Sequence, residues 1–481
     1  MFIAEISQHL RQELGFEPTA DQENLIAQLA EFLINPKGND VLMVNGYAGT
    51  GKTTAIGALV RTLKHLKHPA VLLAPTGRAA KVMSQYAGAT AYTIHKKIYR
   101  QSNMRDGVGV FALNINTLSN AVFIVDEASM IANSSLDLSV FGSGRLLDDL
   151  VRFVQQGKGC KLVLVGDAAQ LPPVGLSISP ALDLKHLAGY GKCEQITLRQ
   201  VVRQAQQSGI LHNATKIRTA IECNEAALQP IDLQQFCDVQ RLSGADFIEE
   251  LTSAYQRYGA DEVAVITRSN KQANRYNAGI RSMILGKEEE LCQGDRLMVV
   301  KNNYSWVEKD PELQNIVDFI ANGDVVEVRR LRKHSTMYGF RFVDATVTLP
   351  DYGNVELDCR LMLDTLSMES AALTSVQSKD FFSQVMLDYM HITVAAQRYA
   401  AVKTDPYFGA LQIKHACAVT CHKAQGGQWK AVFVDHGYLA DDMVNIDFQR
   451  WLYTALTRAA EKVYLVNFDK RFFCPAGTVF Y

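Results

Sequence analysis

No stretch of the 481-residue sequence approaches the roughly 18 consecutive apolar residues that a membrane-spanning helix needs. The opening residues, MFIAEISQHLRQELGF, carry Glu5, Arg11 and Glu13 inside their apolar periodicity, which argues against a signal peptide. An excess of one charge is also missing. Forty-nine Lys and Arg stand against 50 Asp and Glu, so nothing global attracts a polyanion, and a nucleic-acid surface would have to be a local groove. The nine cysteines contain no C-x-x-C spacing, and the nearest pair, Cys417 and Cys421, lacks the companions of a zinc site. Reduced thiols in a cytoplasmic protein with no membrane association are the expectation. Repeats and low-complexity tracts are absent. What remains is an ordinary globular composition, 48% hydrophobic, long enough for about three domains.

The most informative segment is VLMVNGYAGTGKTT, residues 41–54. An apolar strand stops at a glycine-rich loop, and helical periodicity resumes after a lysine and two threonines. Gly46, Gly49 and Gly51 let successive backbone N–H groups point into one concavity, to which the following helix adds its positive end. The spacing of Gly46, Gly51, Lys52 and Thr53 fits G-x-x-x-x-G-K-[ST], in which the lysine reaches the outer phosphates and the hydroxyl coordinates Mg²⁺. Gly46, Ala48, Gly49, Thr50, Gly51, Lys52, Thr53 and Thr54 are the expected triphosphate cradle, with ATP and Mg²⁺ as cofactors. The bland alternative is a glycine turn beside a solvated lysine.

Continuous apolar runs at 41–45, 70–75, 121–127 and 161–167 read as strands buried on both faces of a parallel sheet, each ending where a functional loop begins. A polar, glycine-bearing stretch at 96–119 reads as an inserted hairpin. The expected organisation is an α/β chain of two parallel-sheet lobes. The first covers 1–197, the second 198–285 with 406–481, and a small antiparallel β-barrel is inserted at 286–405. The barrel expectation rests on alternating strands joined by Asn-Gly and Tyr-Gly-Asn turns.

Asp126 and Glu127 end the strand AVFIV. An aspartate there holds Mg²⁺, and a neighbouring carboxylate can orient and deprotonate a water. Gln170, in GDAAQLPPVG, is placed to sense a terminal phosphate, with two prolines stiffening the next segment. Arg203 and Arg458 lie beyond the first lobe, from where an arginine can stabilise charge on a transferring phosphoryl group. Each of these residues alone has an ordinary surface role as its alternative.

The ordered set GYAGTGKTT, APTGRAAKVM, TIH, VDEASM, GDAAQLPPV, VVRQ, TCHKAQG and LYTALTRA resembles superfamily-one DNA helicases of the 5′-to-3′ branch typified by RecD and Dda, and Dda-like members above all. The resemblance implies two RecA-like lobes with ATP between them and single-stranded DNA across their top. It implies that Gln22 recognises adenine, that Gln170, Arg203 and Arg458 surround the γ-phosphate, and that Gln425 and Gly426 close the cleft. Pro75, Thr76, Thr93, His95, Thr420, His422 and Lys423 would line the DNA or couple it to the nucleotide. Phe111, near the middle of the hairpin insertion, is the candidate strand-separating aromatic. Lys271 and Arg275, on a basic helix, form a second candidate phosphate-contacting surface.

Two departures stand out. Gln428 replaces a glutamate common after HKxQG, and Arg199 and Gln200 replace an acidic position before VVRQ. The expected activity is an ATP-dependent 5′-to-3′ helicase acting on single-stranded DNA and duplex–single-strand junctions, with a monomer as the working expectation. An ATP-regulated DNA-binding or remodelling subunit of a larger assembly is the non-motor alternative. A P-loop kinase or signalling NTPase is the enzymatic one, and it needs neither Arg458 nor HKAQG.

Overall fold

The computed structural model describes residues 3–35, 40–105, 108–133, 142–202, 208–233, 236–307, 313, 316–317 and 319–474. The chain starts with two helices, Ile3–Leu14 and Ala20–Ile34, and then lays down β1 (Val41–Gly46), β2 (Ala70–Ala74) and β3 (Ala91–Thr93). It leaves the sheet for an antiparallel hairpin, β4 (Tyr99–Arg105) and β5 (Val108–Leu113), and returns with β6 (Val122–Val125), β7 (Lys161–Gly166) and β8 (Cys193–Leu198). The resulting six-stranded sheet has the order β3-β2-β6-β7-β1-β8, with every pairing parallel.

Alternation explains why these strands read as unbroken apolar runs. Leu42, Val44, Leu72, Ile124, Val163 and Val165 enter the core on one face, while Val41, Met43, Val71, Leu73, Phe123 and Leu162 enter the core on the other. The central strands β1, β6 and β7 are buried at every position, while β3 and β8 at the sheet's edges are only partly covered.

The second lobe repeats the design. β9 (Val239–Leu242) and β10 (Val263–Thr267) join β16 (Ala418–Thr420), β17 (Trp429–Asp435) and β18 (Ala459–Val466) in a parallel sheet ordered β16-β10-β17-β18-β9. Between its halves lies a closed barrel of β11 (Arg296–Val299), β12 (Val325–Met337), β13 (Phe340–Leu349), β14 (Val355–Met362) and β15 (Leu411–His415).

β15 corrects the sequence boundary at 405, because the strand assigned to the returning lobe instead closes the barrel. Leu411 and Ile413 belong to the barrel core with Leu297, Val326 and Leu361. The strand is hard to attribute from sequence because the helices Ser375–Asp388 and Ala395–Thr404 separate it from β14. They pack Phe381, Val385 and Val402 onto Phe342 of β13.

Among the described residues, the barrel touches the first lobe through several side chains. Lys81 pairs with Asp351 at 2.5 Å, Phe111 of the hairpin packs on Tyr304 with ring centroids 4.8 Å apart, and Asp324 abuts Gly77, where a Cβ would lie 2.4 Å from its carboxylate. Among the described residues no helix is long and apolar enough to cross a membrane.

Candidate nucleotide cleft and DNA-facing surface

Gly51 sits in the left-handed region at φ 83° immediately before the helix Lys52–His65, and no side chain caps that helix. A Cβ at Gly51 would lie 2.5 Å from Nε2 of Gln22, so glycine satisfies both the backbone and the close approach. The uncapped N–H groups open into a cavity of about 970 Å³ between the lobes, lined among others by Lys52, Thr53, Asp126, Glu127, Gln170 and Arg458. Residues far apart in the chain, from both lobes, thus meet in one polar cleft.

Glu127 adopts φ 52°, a left-handed conformation that costs a non-glycine residue about 1–3 kcal/mol and concentrates at functional sites. Burial raises its pKa, while Arg458 chiefly opposes that rise. The Arg458 guanidinium lies 3.8 Å from the Glu127 carboxylate and donates to the carbonyls of Thr454 and Gly427, each at 3.2 Å. Asp126, one residue earlier, accepts from the Tyr86 hydroxyl at 2.6 Å and from the N–H of Glu127 at 2.8 Å.

Lys52 donates to the carbonyls of Gly46 and Tyr47 and stands 3.6 Å from Asp167. It is folded back on its own loop. Gln170 is buried, and its Oε1 is an orphaned acceptor. A buried amide oxygen without a donor, an uncapped helix start and a lysine at the loop's rim fit a phosphate chain with bound metal and water.

Gln22 is more committed than the sequence suggests. It forms a capping box with Thr19, accepting from the Thr19 N–H at 3.0 Å, and its Nε2 donates to Thr50 O at 3.1 Å. One amide proton therefore remains for an adenine. Arg203 lies outside the described residues.

Gln425 crosses the cleft to donate to Leu171 O at 2.7 Å. Gly426, at φ 72°, lies against the first lobe, where a Cβ would approach Ala79 Cβ to 2.9 Å.

The DNA-facing candidates divide into two groups. Pro75, Thr76, Thr93, His95 and Phe111 share one wall of a cavity of about 540 Å³, whose other wall is barrel residues including Lys301, Asn302 and Tyr304. Thr76 and Thr93 are N-caps, accepting from Ala79 N and Lys96 N at 3.2 Å each. A hydroxyl that accepts from backbone keeps its own proton to offer a phosphate oxygen. Burial pushes His95 down to about 4, so it is a neutral imidazole at physiological pH rather than a cation.

The second group, Thr420 at the end of β16 with His422 and Lys423 after it, lies outside that cavity, with His422 exposed and the Lys423 ammonium buried without a hydrogen-bond acceptor. Burial, reinforced by Lys414, lowers Lys423 to about 8. Apart from Phe111, which lies within the hairpin strand β5, both groups lie at or just after strand carboxyl ends, the edge at which open α/β sheets take ligands. Lys271 is paired with Glu369 at 2.9 Å, and Arg275 is exposed on the same helix.

Sequence reasoning missed Tyr86, Asp167, Arg450, Tyr453 and Thr454. Asp167 stands second in the GDAAQLPPV motif, and Tyr453 and Thr454 stand second and third in LYTALTRA, but neither motif shows what those side chains meet. Tyr86 and Arg450 lie outside the quoted motifs, on helices whose facing partners a sequence does not display.

Two family models match the chain, an AAA domain at residues 18–231 and a UvrD-like helicase C-terminal domain at 415–466. The ATP-dependent RecD2 DNA helicase of Deinococcus radiodurans is 26% identical over 80% of this chain and 52% of its own length. An uncharacterized protein of Methanocaldococcus jannaschii is 21% identical over 93% of this chain and 38% of its own length. The chain thus spans about half or less of these two relatives. A solved Pif1 helicase from Bacteroides in complex with ADP-AlF3 and ssDNA superposes with a TM-score of 0.45 and 15% identity, covering 96% of this chain and 95% of that one. An AAA domain match followed by a UvrD-like helicase C-terminal match agrees in kind and order with the superfamily-one helicases that the motifs resemble.

Proposed function

We propose that the protein is an ATP-driven DNA helicase that travels 5′ to 3′ along a single strand and opens duplex at single-strand junctions. The observation that carries this reading is the approach of Arg458, from the second lobe, to Glu127 of the first. A hydrolytic carboxylate and a charge-stabilising arginine on separate lobes make turnover depend on lobe closure, which is what a motor requires. The Deinococcus relative, by its name an ATP-dependent DNA helicase, supports the same class of activity.

In this reading Lys52, Thr53 and the backbone of the P-loop hold the triphosphate, with Thr53 and Asp126 on the Mg²⁺ side. ATP supplies the free energy of phosphoryl transfer. Glu127 orients and deprotonates the attacking water, Gln170 senses the terminal phosphate, and Arg458, with Arg203, offsets charge on the reacting group. Gln22 uses its remaining amide proton for the base. Thr76, Thr93 and His95 grip the strand from one lobe, and Thr420, His422 and Lys423 from the other. The Gln425–Leu171 bond ties the two grips to the nucleotide loop.

Phe111, braced by Tyr304, is the proposed wedge. Stacking on an aromatic is worth about 1–3 kcal/mol per base, enough to hold one opened step costing about 1.4 kcal/mol. Polarity is that of the branch that the motifs resemble.

The test is strand displacement from duplexes carrying either a 5′ or a 3′ tail, run beside ATP hydrolysis with and without single-stranded DNA. Hydrolysis stimulated by the single strand, with displacement only from 5′-tailed substrates, is expected. Displacement only from 3′ tails would overturn the polarity. Stimulated hydrolysis with no displacement would favour a DNA-bound regulatory subunit over a helicase.

A further inference from the structure

We infer that Tyr453 is a positioning residue through which the second lobe controls the P-loop lysine, acting on Lys52 by way of Asp167. The inference rests on the helicase reading and adds a second route, besides Arg458, by which lobe closure reaches the nucleotide site.

The helix Ile446–Leu456 presents Arg450, Tyr453 and Thr454 on one face, at spacings of three and four residues. All three meet the segment after β7. Arg450 donates to the carbonyls of Ala168 and Gln170, and Thr454 Oγ1 accepts from Leu171 N at 2.9 Å.

Tyr453 reaches further. Its hydroxyl accepts from the N–H of Ala48, inside the P-loop, at 2.9 Å and donates to Asp167 Oδ2 at 2.7 Å. Phenol and carboxylate are both 1% exposed. Burial holds the phenol protonated far above its ordinary range, so it remains a donor at any working pH.

Asp167 is a buried carboxylate and needs donors. Oδ1 accepts from Ala169 N at 3.0 Å, and Oδ2 has Tyr453 at 2.7 Å and the Lys52 ammonium at 3.6 Å. The lysine therefore sits beyond hydrogen-bond distance from the carboxylate while donating to its own loop. Without the phenol, Oδ2 keeps one strong partner within reach, Lys52, and in a buried setting that attraction tightens. The Tyr453 hydroxyl thus sets how firmly Asp167 holds the lysine away from a phosphate chain. Since the hydroxyl comes from the other lobe, its hold exists only when the lobes are together.

A phenylalanine would fill the same volume, so what distinguishes the tyrosine is its two hydrogen bonds, both to the nucleotide loop region. The experiment compares wild type, Tyr453→Phe, Asp167→Asn and the double variant by kcat and KM for ATP at saturating single-stranded DNA. Melting temperatures check folding. Absence of DNA-stimulated hydrolysis in wild type would fail the helicase reading, and the Kd for ATP of the same four proteins then decides the inference on the same pattern.

Tyr453→Phe should raise KM for ATP about tenfold, as expected for a lysine held back by a strengthened buried pair, with a smaller change in kcat. Asp167→Asn removes the charge that restrains Lys52, so the double variant should match Asp167→Asn in KM and lose the tyrosine effect. A KM for Tyr453→Phe within twofold of wild type, or single effects that multiply in the double variant, would overturn the inference. Should Tyr453→Phe fail to fold, Asp167→Asn decides alone: an unchanged or lowered KM for ATP supports the restraint, and a raised one overturns it.

Discussion

The guanidinium of Arg458 stands 3.8 Å from the carboxylate of Glu127, and the two groups come from different lobes, 331 positions apart by their numbers 458 and 127. Removing that guanidinium should separate binding from chemistry. Arg458→Ala is expected to keep nucleotide affinity within a few-fold and to cut turnover by about 10³–10⁵, the usual contribution of an arginine acting on transition-state charge. The pH profile should move as well. Burial raises Glu127 while Arg458 opposes the rise, and the base works ionised, so activity falls as pH drops through its pKa. Without Arg458 the acid limb of the residual activity should shift to higher pH. Equal losses in affinity and turnover with an unmoved limb would make Arg458 a binding residue.

Gly426 combines φ 72° with a first-lobe neighbour that a Cβ would approach to 2.9 Å. Gly426→Ala therefore carries backbone strain and an overlap with Ala79, together about 1–3 kcal/mol. Because the overlap lies between lobes, the variant should keep most of its melting temperature and lose single-stranded-DNA stimulation of hydrolysis. Wild-type stimulation in this variant would show that the lobes need not approach as closely as they do here.

Salt should weaken DNA binding despite the net charge of −1, with a log–log slope near −0.7 per phosphate contacted on a single strand. Arg275 is exposed, whereas Lys271 is engaged by Glu369. Arg275→Ala should make the slope shallower by about one contact, and Lys271→Ala by less. Fluorescence titrations across a salt series give both slopes. If neither changes, the strand does not cross this helix.

Asp324 lies buried in the contact between barrel and first lobe, accepting from Ala321 N at 2.8 Å and from the Tyr352 hydroxyl at 3.1 Å. Burial lifts its pKa from 3.8 to about 7. Between those values the native state holds a proton that the unfolded chain has released, so this residue's stabilising contribution is full at low pH and is lost as pH rises toward 7. Asp324→Asn, neutral throughout, should be about as stable as wild type near pH 3 and more stable than wild type at pH 8, by about 4 kcal/mol at most, with part of the difference already present at pH 5. Parallel pH–stability curves for the two proteins would place the carboxylate in water.

Much of the fold and site was legible in the sequence for a physical reason. A strand buried on both faces must be apolar at every position, so β1, β2, β6 and β7 announced themselves as unbroken runs. A phosphate loop needs glycines, a lysine and a hydroxyl within a few residues of one another, so Gly46 through Thr54 could be read without any long-range information. Local chemistry of this kind also placed Asp126, Glu127 and Gln170 at strand ends.

Contacts between distant segments were decided only by the tertiary structure. β15 carries the alternation of a barrel strand, but three helices separate it from β14, and nothing in Leu411 or Ile413 says which sheet will accept them. Gln22 reads as a base-recognising amide, yet the approach of Thr19 and Thr50 commits most of its hydrogen-bonding capacity. Lys271 reads as a candidate phosphate contact, and only the fold shows that Glu369 stands beside it. Tyr453 and Asp167 have ordinary identities in sequence, and their meeting with Ala48 and Lys52 exists only because the helix of one lobe packs on the loops of the other. A sequence displays the groups that neighbouring residues must supply. Which distant group satisfies a buried carboxylate or amide is settled when the chain packs, since desolvation makes each such group depend on whatever partner the fold brings within reach.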